Sequence, residues 1–188
     1  MKIHLNSVLK KISEIVERNS NTFEQSQPIL ITTTIFNEIY CSKSNVTTCE
    51  EHKNIFSDLI KFKKKPILYW FSIDDKISNA TIIREKYKEF KDLKSNRSSA
   101  SYKIVLDSNS KSLYVGKVKE NFHLRLVTHL GYSKNENTAG MQLFHWYNPE
   151  QCGNLTLNYI VFNEEMSDLI TILEMELARE LKPIIGKY

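Results

Sequence analysis

The chain has 188 residues, 41% hydrophobic and 26% charged, which suits one medium domain with a real core and excludes a fibrous or disordered chain. Five glycines and four prolines leave no room for long low-complexity linkers, and the longest apolar run, Ile67 to Phe71, is far too short to span a bilayer. The formal net charge of +4 is mild but unevenly spread: from Lys61 to Lys103 twelve Lys and Arg stand against five Asp and Glu, and from Asn163 to Tyr188 three stand against six. The first of these segments would attract a polyanion. The opening residues, Met1-Lys2-Ile3-His4-Leu5, lack the apolar stretch of a secretory signal, so a cytoplasmic address and no membrane are expected.

In chain order, Leu5, Val8, Leu9, Ile12, Ile15 and Val16 recur at helical spacing, with Asn6-Ser7 to cap the start and Asn19-Ser20-Asn21 to stop it. Residues 28–40 begin β-branched and are then ambiguous between strand and helix. A second helix is predicted from Glu50 to about Lys61, with Thr48-x-x-Glu51 as a capping box and Ile55, Phe56, Leu59 and Ile60 as its buried stripe. Cys49-x-x-His52 is half of a zinc spacing with no second pair to match it, and the three cysteines read as reduced thiols.

Ile67 to Ser72 reads as a strand buried on both faces. A helix over Asn79 to Lys94 should turn Ile82, Ile83, Tyr87, Phe90 and Leu93 inward and its lysines outward. Tyr102 to Leu106 and Ser112 to Val118 flank the turn Asp107-Ser108-Asn109-Ser110 and predict a hairpin. A helix from Asn121 to Leu130 ends at Gly131, a suitable C′ residue. After a polar loop holding Phe144-His145-Trp146 come a strand, Leu155 to Phe162, and a last helix, Met166 to Leu181, stopped at Pro183. This order predicts an α+β fold with a small antiparallel-rich sheet of three to four strands flanked by helices. An N-terminal helical extension (1–64) would pack on a core domain (65–188), which carries a basic helical insertion at about 76–100.

Three features resist a purely structural reading. Glu174 lies inside the apolar stripe Ile170, Leu173, Leu177, Ala178 and Leu181, where a carboxylate needs a partner, a proton or a cation, or must reach out to solvent at the stripe's edge. Arg125 and His129 stack at i, i+4, an arrangement suited to a phosphate, although a helix C-terminus also favours positive charge. Tyr69 and Tyr114 lie on strands, and Gly116 follows the second, where a strand glycine often marks a bulge or a close approach.

Together, Ile67-Leu68-Tyr69, Leu113-Tyr114-Val115-Gly116-Lys117, Arg125-x-x-x-His129 and Glu174 with Lys182-Pro183 resemble the GIY-YIG nuclease family over roughly Pro66 to Tyr188. The chain departs from the family pattern in three ways. Ile67 stands where the first motif has Gly, the two tyrosines are unusually far apart with the basic helix between them, and Gly186 stands where an Asn is often found. The resemblance implies a metal-dependent endonuclease acting on DNA, of restriction or mobile-element type, with Mg²⁺ or Mn²⁺ as cofactor. It implies Glu174 as the metal ligand, Arg125 as the phosphate clamp, Tyr69 as the base, Tyr114 as the positioning phenol, and Lys117 and His129 as supporting groups. The inserted helix, with Arg84, Lys86, Lys88, Lys91 and Lys94, is the expected DNA contact, and a homodimer is the expected assembly. The departures at Ile67 and Gly186 motivate an alternative, a nucleic-acid-binding module of the same fold without activity.

Overall fold

The computed structural model describes residues 2–20, 24–25, 28–31, 46–50, 52–73, 79–93, 98–135 and 137–187. Its elements are α1 (Lys2–Ser20), β1 (Glu24–Gln25), β2 (Ile29–Ile31), α2 (Lys53–Lys61), β3 (Ile67–Ile73), α3 (Ala80–Asp92), β4 (Ser112–Val118), α4 (Phe122–Leu130), α5 (Pro149–Cys152), β5 (Leu155–Val161) and α6 (Ile170–Leu181). The strands form one antiparallel sheet in the order β1-β5-β3-β4, with β2 also paired to β5. The expected α+β class and antiparallel sheet are present, but the segment before residue 64 is not purely helical, because β1 and β2 extend the sheet along β5.

β3 is central because both its faces are apolar. Ile67, Tyr69, Phe71 and Ile73 join the main core with Leu155, Leu157 and Tyr159 of β5. Leu68 faces the other way, into a smaller core with Phe162, Met166, Ile170 and Ile15. This alternation is the period-two rule of a strand covered on both sides.

The helix ends follow their local chemistry. Asn79 caps α3 by accepting bonds on Oδ1 from the backbone N–H groups of Thr81 and Ile82, at 3.0 and 3.2 Å. Gly131 closes α4 in the left-handed conformation at φ 95°, as its position predicts.

Other expectations are corrected. No hairpin forms between Tyr102–Leu106 and β4: Tyr102 makes only an isolated bridge to Ile185, Ile104 and Val105 are almost fully exposed, and β4 pairs with β3 instead. Ile82 and Leu93 of α3 point outward, leaving Ala80, Ile83, Tyr87 and Phe90 to bury the helix. α2 begins at Lys53 with His52 at its N-cap and no side-chain cap, and Ile60 is exposed. The proposed capping partner Glu51, like 32–40 and Lys94, lies outside the described residues. α1 forms as predicted, yet Val8, Leu9, Ile12 and Val16 of its stripe are exposed. Its C-terminal end is tied to the body, where buried Asn19 donates to Glu165 at 2.8 Å and accepts from the Asn163 amide at 3.3 Å.

Candidate active site

β4 is the edge strand of the sheet, and the candidate site is built around it. The β3–β4 register shifts between Phe71, opposite Tyr114, and Ser72, opposite Ser112. Such a bulge re-aims side chains, and here Leu113 and Tyr114, neighbours in sequence, both pack against the main core. The chain after α6 returns along the start of this edge: the amides of Ile184 and Ile185 donate to the carbonyls of Ser112 and Leu113, both at 2.9 Å.

Tyr69 sits directly across from Gly116. A Cβ on Gly116 would lie 2.6 Å from the Tyr69 hydroxyl and 2.6 Å from Cε1 of Tyr114. The glycine is therefore required by the close approach of two phenols. The two rings stack with centroids 6.2 Å apart.

α4 adds the guanidinium and the imidazole. Arg125 Nε donates to the Tyr69 hydroxyl oxygen at 3.3 Å, one terminal nitrogen donates to the Tyr114 oxygen at 3.5 Å, and the other donates to the Ala139 carbonyl at 2.6 Å. His129 Nε2 lies 2.8 Å from the same Tyr69 oxygen, and its Nδ1 accepts from the Met141 amide at 3.3 Å. An amide can only donate, so Nδ1 carries no proton and Nε2 must. His129 thus donates to Tyr69, whose oxygen receives two N–H groups.

The environment decides the charge states. Tyr69 and His129 have no exposed surface. Burial, and then the Arg125 charge, holds the imidazole well below its ordinary range, so His129 is neutral. Burial also drives the Tyr69 phenol upward, with Tyr114 adding to the effect and Arg125 opposing it. His129 therefore does not stand beside Arg125 as a second phosphate contact, as its spacing suggested; it holds Tyr69.

Glu174 approaches from α6, which packs against β4 and β3. It is half-buried and, with Tyr114, Gly186 and Lys187, lines a cavity of about 180 Å³. Burial raises its carboxyl above the ordinary carboxylate range, while Lys117 and Arg125 pull it back and the Lys117 backbone N–H bonds to it. Lys117 pairs with Leu68, on the face of β4 opposite to Gly116, so the group it serves is Glu174 and not a phenol.

The expected residues thus meet: Tyr69, Tyr114, Arg125 and His129 are hydrogen-bonded together, and Glu174 and Lys117 stand beside them. Their exposures differ from expectation, since Tyr69 is sealed and Tyr114 opens to the cavity. The inserted helix contributes less than its charge suggested. Arg84 pairs with Glu85 at 3.1 Å and reaches the Ile104 carbonyl at 3.4 Å. Lys91 donates to the Ala100 carbonyl at 2.9 Å and rides over the rings of Tyr87 and Tyr102. Lys86 is half-buried and Lys88 is exposed.

The loop Ala139-Gly140-Met141 has no counterpart among the predicted site residues. It holds both Arg125 and His129 and fits against α4 because Gly140 has no side chain: a Cβ there would lie 2.7 Å from the Thr128 carbonyl oxygen. Only the glycine itself, in a polar loop, hinted at this. Among the described residues no group of three or more His, Cys, Asp or Glu comes together as a metal cluster. No family model, no curated protein and no solved structure matches the chain.

Proposed function

We propose that the chain is a metal-dependent endonuclease that hydrolyses phosphodiester bonds in DNA, working at the edge of β4. The observation that carries this reading is that Tyr114 and Glu174 face one small cavity while the Arg125 guanidinium, hydrogen-bonded to both phenols, lies close enough to act on the Glu174 charge. A single half-buried carboxylate facing a cavity fits Mg²⁺ or Mn²⁺, since such ions take one or two carboxylates and fill their remaining positions with water and substrate phosphate. When bound, the ion supplies charge neutralisation and a more acidic water.

The chain's own groups do the rest. Glu174 must be ionised to serve as a ligand, and Lys117 and Arg125 favour that form against the cost of burial. Arg125 presents a planar fork that matches phosphate geometry, and Tyr69 and the Ala139 carbonyl fix its orientation before substrate arrives. Such preorganised charge stabilises the transition state without reorganisation during the reaction. Tyr114, the phenol that borders the cavity, is the group that meets and orients the attacking water. Tyr69, sealed beneath it and held by two donors, is the support on which Arg125 rests.

Supercoiled plasmid with Mg²⁺ or Mn²⁺ tests the reading. Nicking or linearisation is expected from the wild type, with a loss of roughly 10²–10³-fold or more in Glu174→Ala and Arg125→Ala while circular dichroism stays unchanged. Tyr114→Phe should cost more activity than Tyr69→Phe. Wild-type cleavage rates in Glu174→Ala or Arg125→Ala overturn the assignment of that residue. DNA binding without cleavage in either metal assigns the chain to the alternative, an inactive nucleic-acid-binding module.

A further inference from the structure

The turn between α2 and β3 reads Phe62-Lys63-Lys64-Lys65-Pro66, and no acidic residue follows before Asp74. Among the described residues Lys63, Lys64 and Lys65 have no ion-pair partner, and neither do Lys86 and Lys88 of α3, whereas Lys61 donates to Asp58 at 2.6 Å and Arg84 and Lys91 of α3 make internal contacts. Lys63 and Lys64 are exposed and Lys65 is half-buried, so the turn presents uncompensated positive charge to solvent, where a polyanion can reach it.

Their place in the fold is informative. The Asn121 amide donates to the Lys63 carbonyl at 2.6 Å, which joins the turn to the start of α4, the helix that carries Arg125 and His129. Lys63 also stands close enough to His123 to reinforce the downward shift that burial gives that imidazole. On the other side Lys64 and Lys119 line a cavity of about 360 Å³ together with Glu120, Glu164 and Ser167. Lys119 follows directly after the end of β4, two residues past Lys117, and Lys117 adjoins Glu174. Lys119 is held only by an exposed pair with Asp168 at 2.7 Å, and such a pair yields easily to a competing anion.

Resting on the hydrolytic reading above, we propose that Lys63, Lys64 and Lys65, continued by Lys119, form the track that grips the phosphate backbone of duplex DNA and delivers it to the cavity at Glu174. The track reads backbone, not bases, so its contribution is independent of sequence and steeply dependent on salt.

The test is fluorescence anisotropy with a labelled mixed-sequence duplex in EDTA, titrated between about 50 and 200 mM salt. It uses the full chain, the triple variant Lys63→Ala/Lys64→Ala/Lys65→Ala and the charge-matched control Lys10→Ala/Lys11→Ala/Lys53→Ala. The turn variant should bind at least about tenfold more weakly, with a log–log salt slope shallower by about 2 to 3, while the control stays near the wild type. An equal loss in both variants, or no loss in the turn variant, overturns the track. Plasmid cleavage is scored separately. A wild type that binds duplex but cuts nothing overturns the hydrolytic reading alone, and one that binds no duplex overturns both.

Discussion

On one face of β3, Tyr69 and Phe71 lie in a core that also holds an imidazole and borders a guanidinium, all joined through one phenolic oxygen. On the other face Leu68 meets the side chains of Met166, Ile170 and Ile15, and packing alone fixes the geometry. The same strand therefore supports two kinds of interior. The first is directional, because each donor has one acceptor that suits it; the second is non-directional and tolerates rearrangement at the cost of contact. Damage to the polar face should appear as lost chemistry with a smaller effect on stability, and damage to the apolar face first as lost stability, reaching the chemistry only through α6, which carries both Ile170 and Glu174.

The sharpest separation should come from Met166→Ala. Met166 is almost fully buried in the smaller core, so the variant should lose about 2–5 kcal/mol in chemical denaturation while the folded fraction cuts plasmid at the wild-type rate. A matching loss of turnover would mean that the two faces are coupled. Gly116→Ala comes next. Its added Cβ collides with both phenols, for which overpacking predicts about 1–3 kcal/mol together with loss of cleavage at temperatures where the protein stays folded. A fully active variant would show that the tyrosines need not approach each other.

The smallest effect has the opposite sign. Glu174 has a folded-state value above its unfolded one, chiefly through burial. Its contribution to stability is therefore present below the unfolded carboxylate range and lost as pH rises through the folded value. Glu174→Gln cannot ionise, so it should melt above the wild type at pH 8 and beside it at pH 4, while cutting nothing. A lower melting temperature than the wild type at pH 8 would place Glu174 among the groups that hold the fold together.

The elements legible in the sequence were those whose signals are local. β3 showed as an unbroken apolar run, α4 as a periodic stripe ending at Gly131, and α6 as a stripe interrupted by Glu174. The partner of β4 was not legible, because pairing with β3 is a long-range contact that leaves no mark near Ser112. Ile104 and Val105 have strand propensity but no neighbouring strand to satisfy it. Amphipathicity in α1 likewise marks a face without naming what covers it, and most of that face is exposed. Of the site, residue types and order were readable; the division between a sealed and an open tyrosine was not, since it depends on what α4 and the 139–141 loop lay over each ring. The tautomer of His129 was equally hidden, being set by an amide twelve residues away.

That amide and the Ala139 carbonyl belong to three consecutive residues, and between them they steer two side chains on a different element. Arg125 and His129 are in effect bolted to one bracket, and Gly140 is the point where the bracket meets the helix. Any displacement of the bracket moves both anchors at once, so the cluster has a single mode of misalignment, and natural or engineered variation in that loop adjusts the pair as one setting.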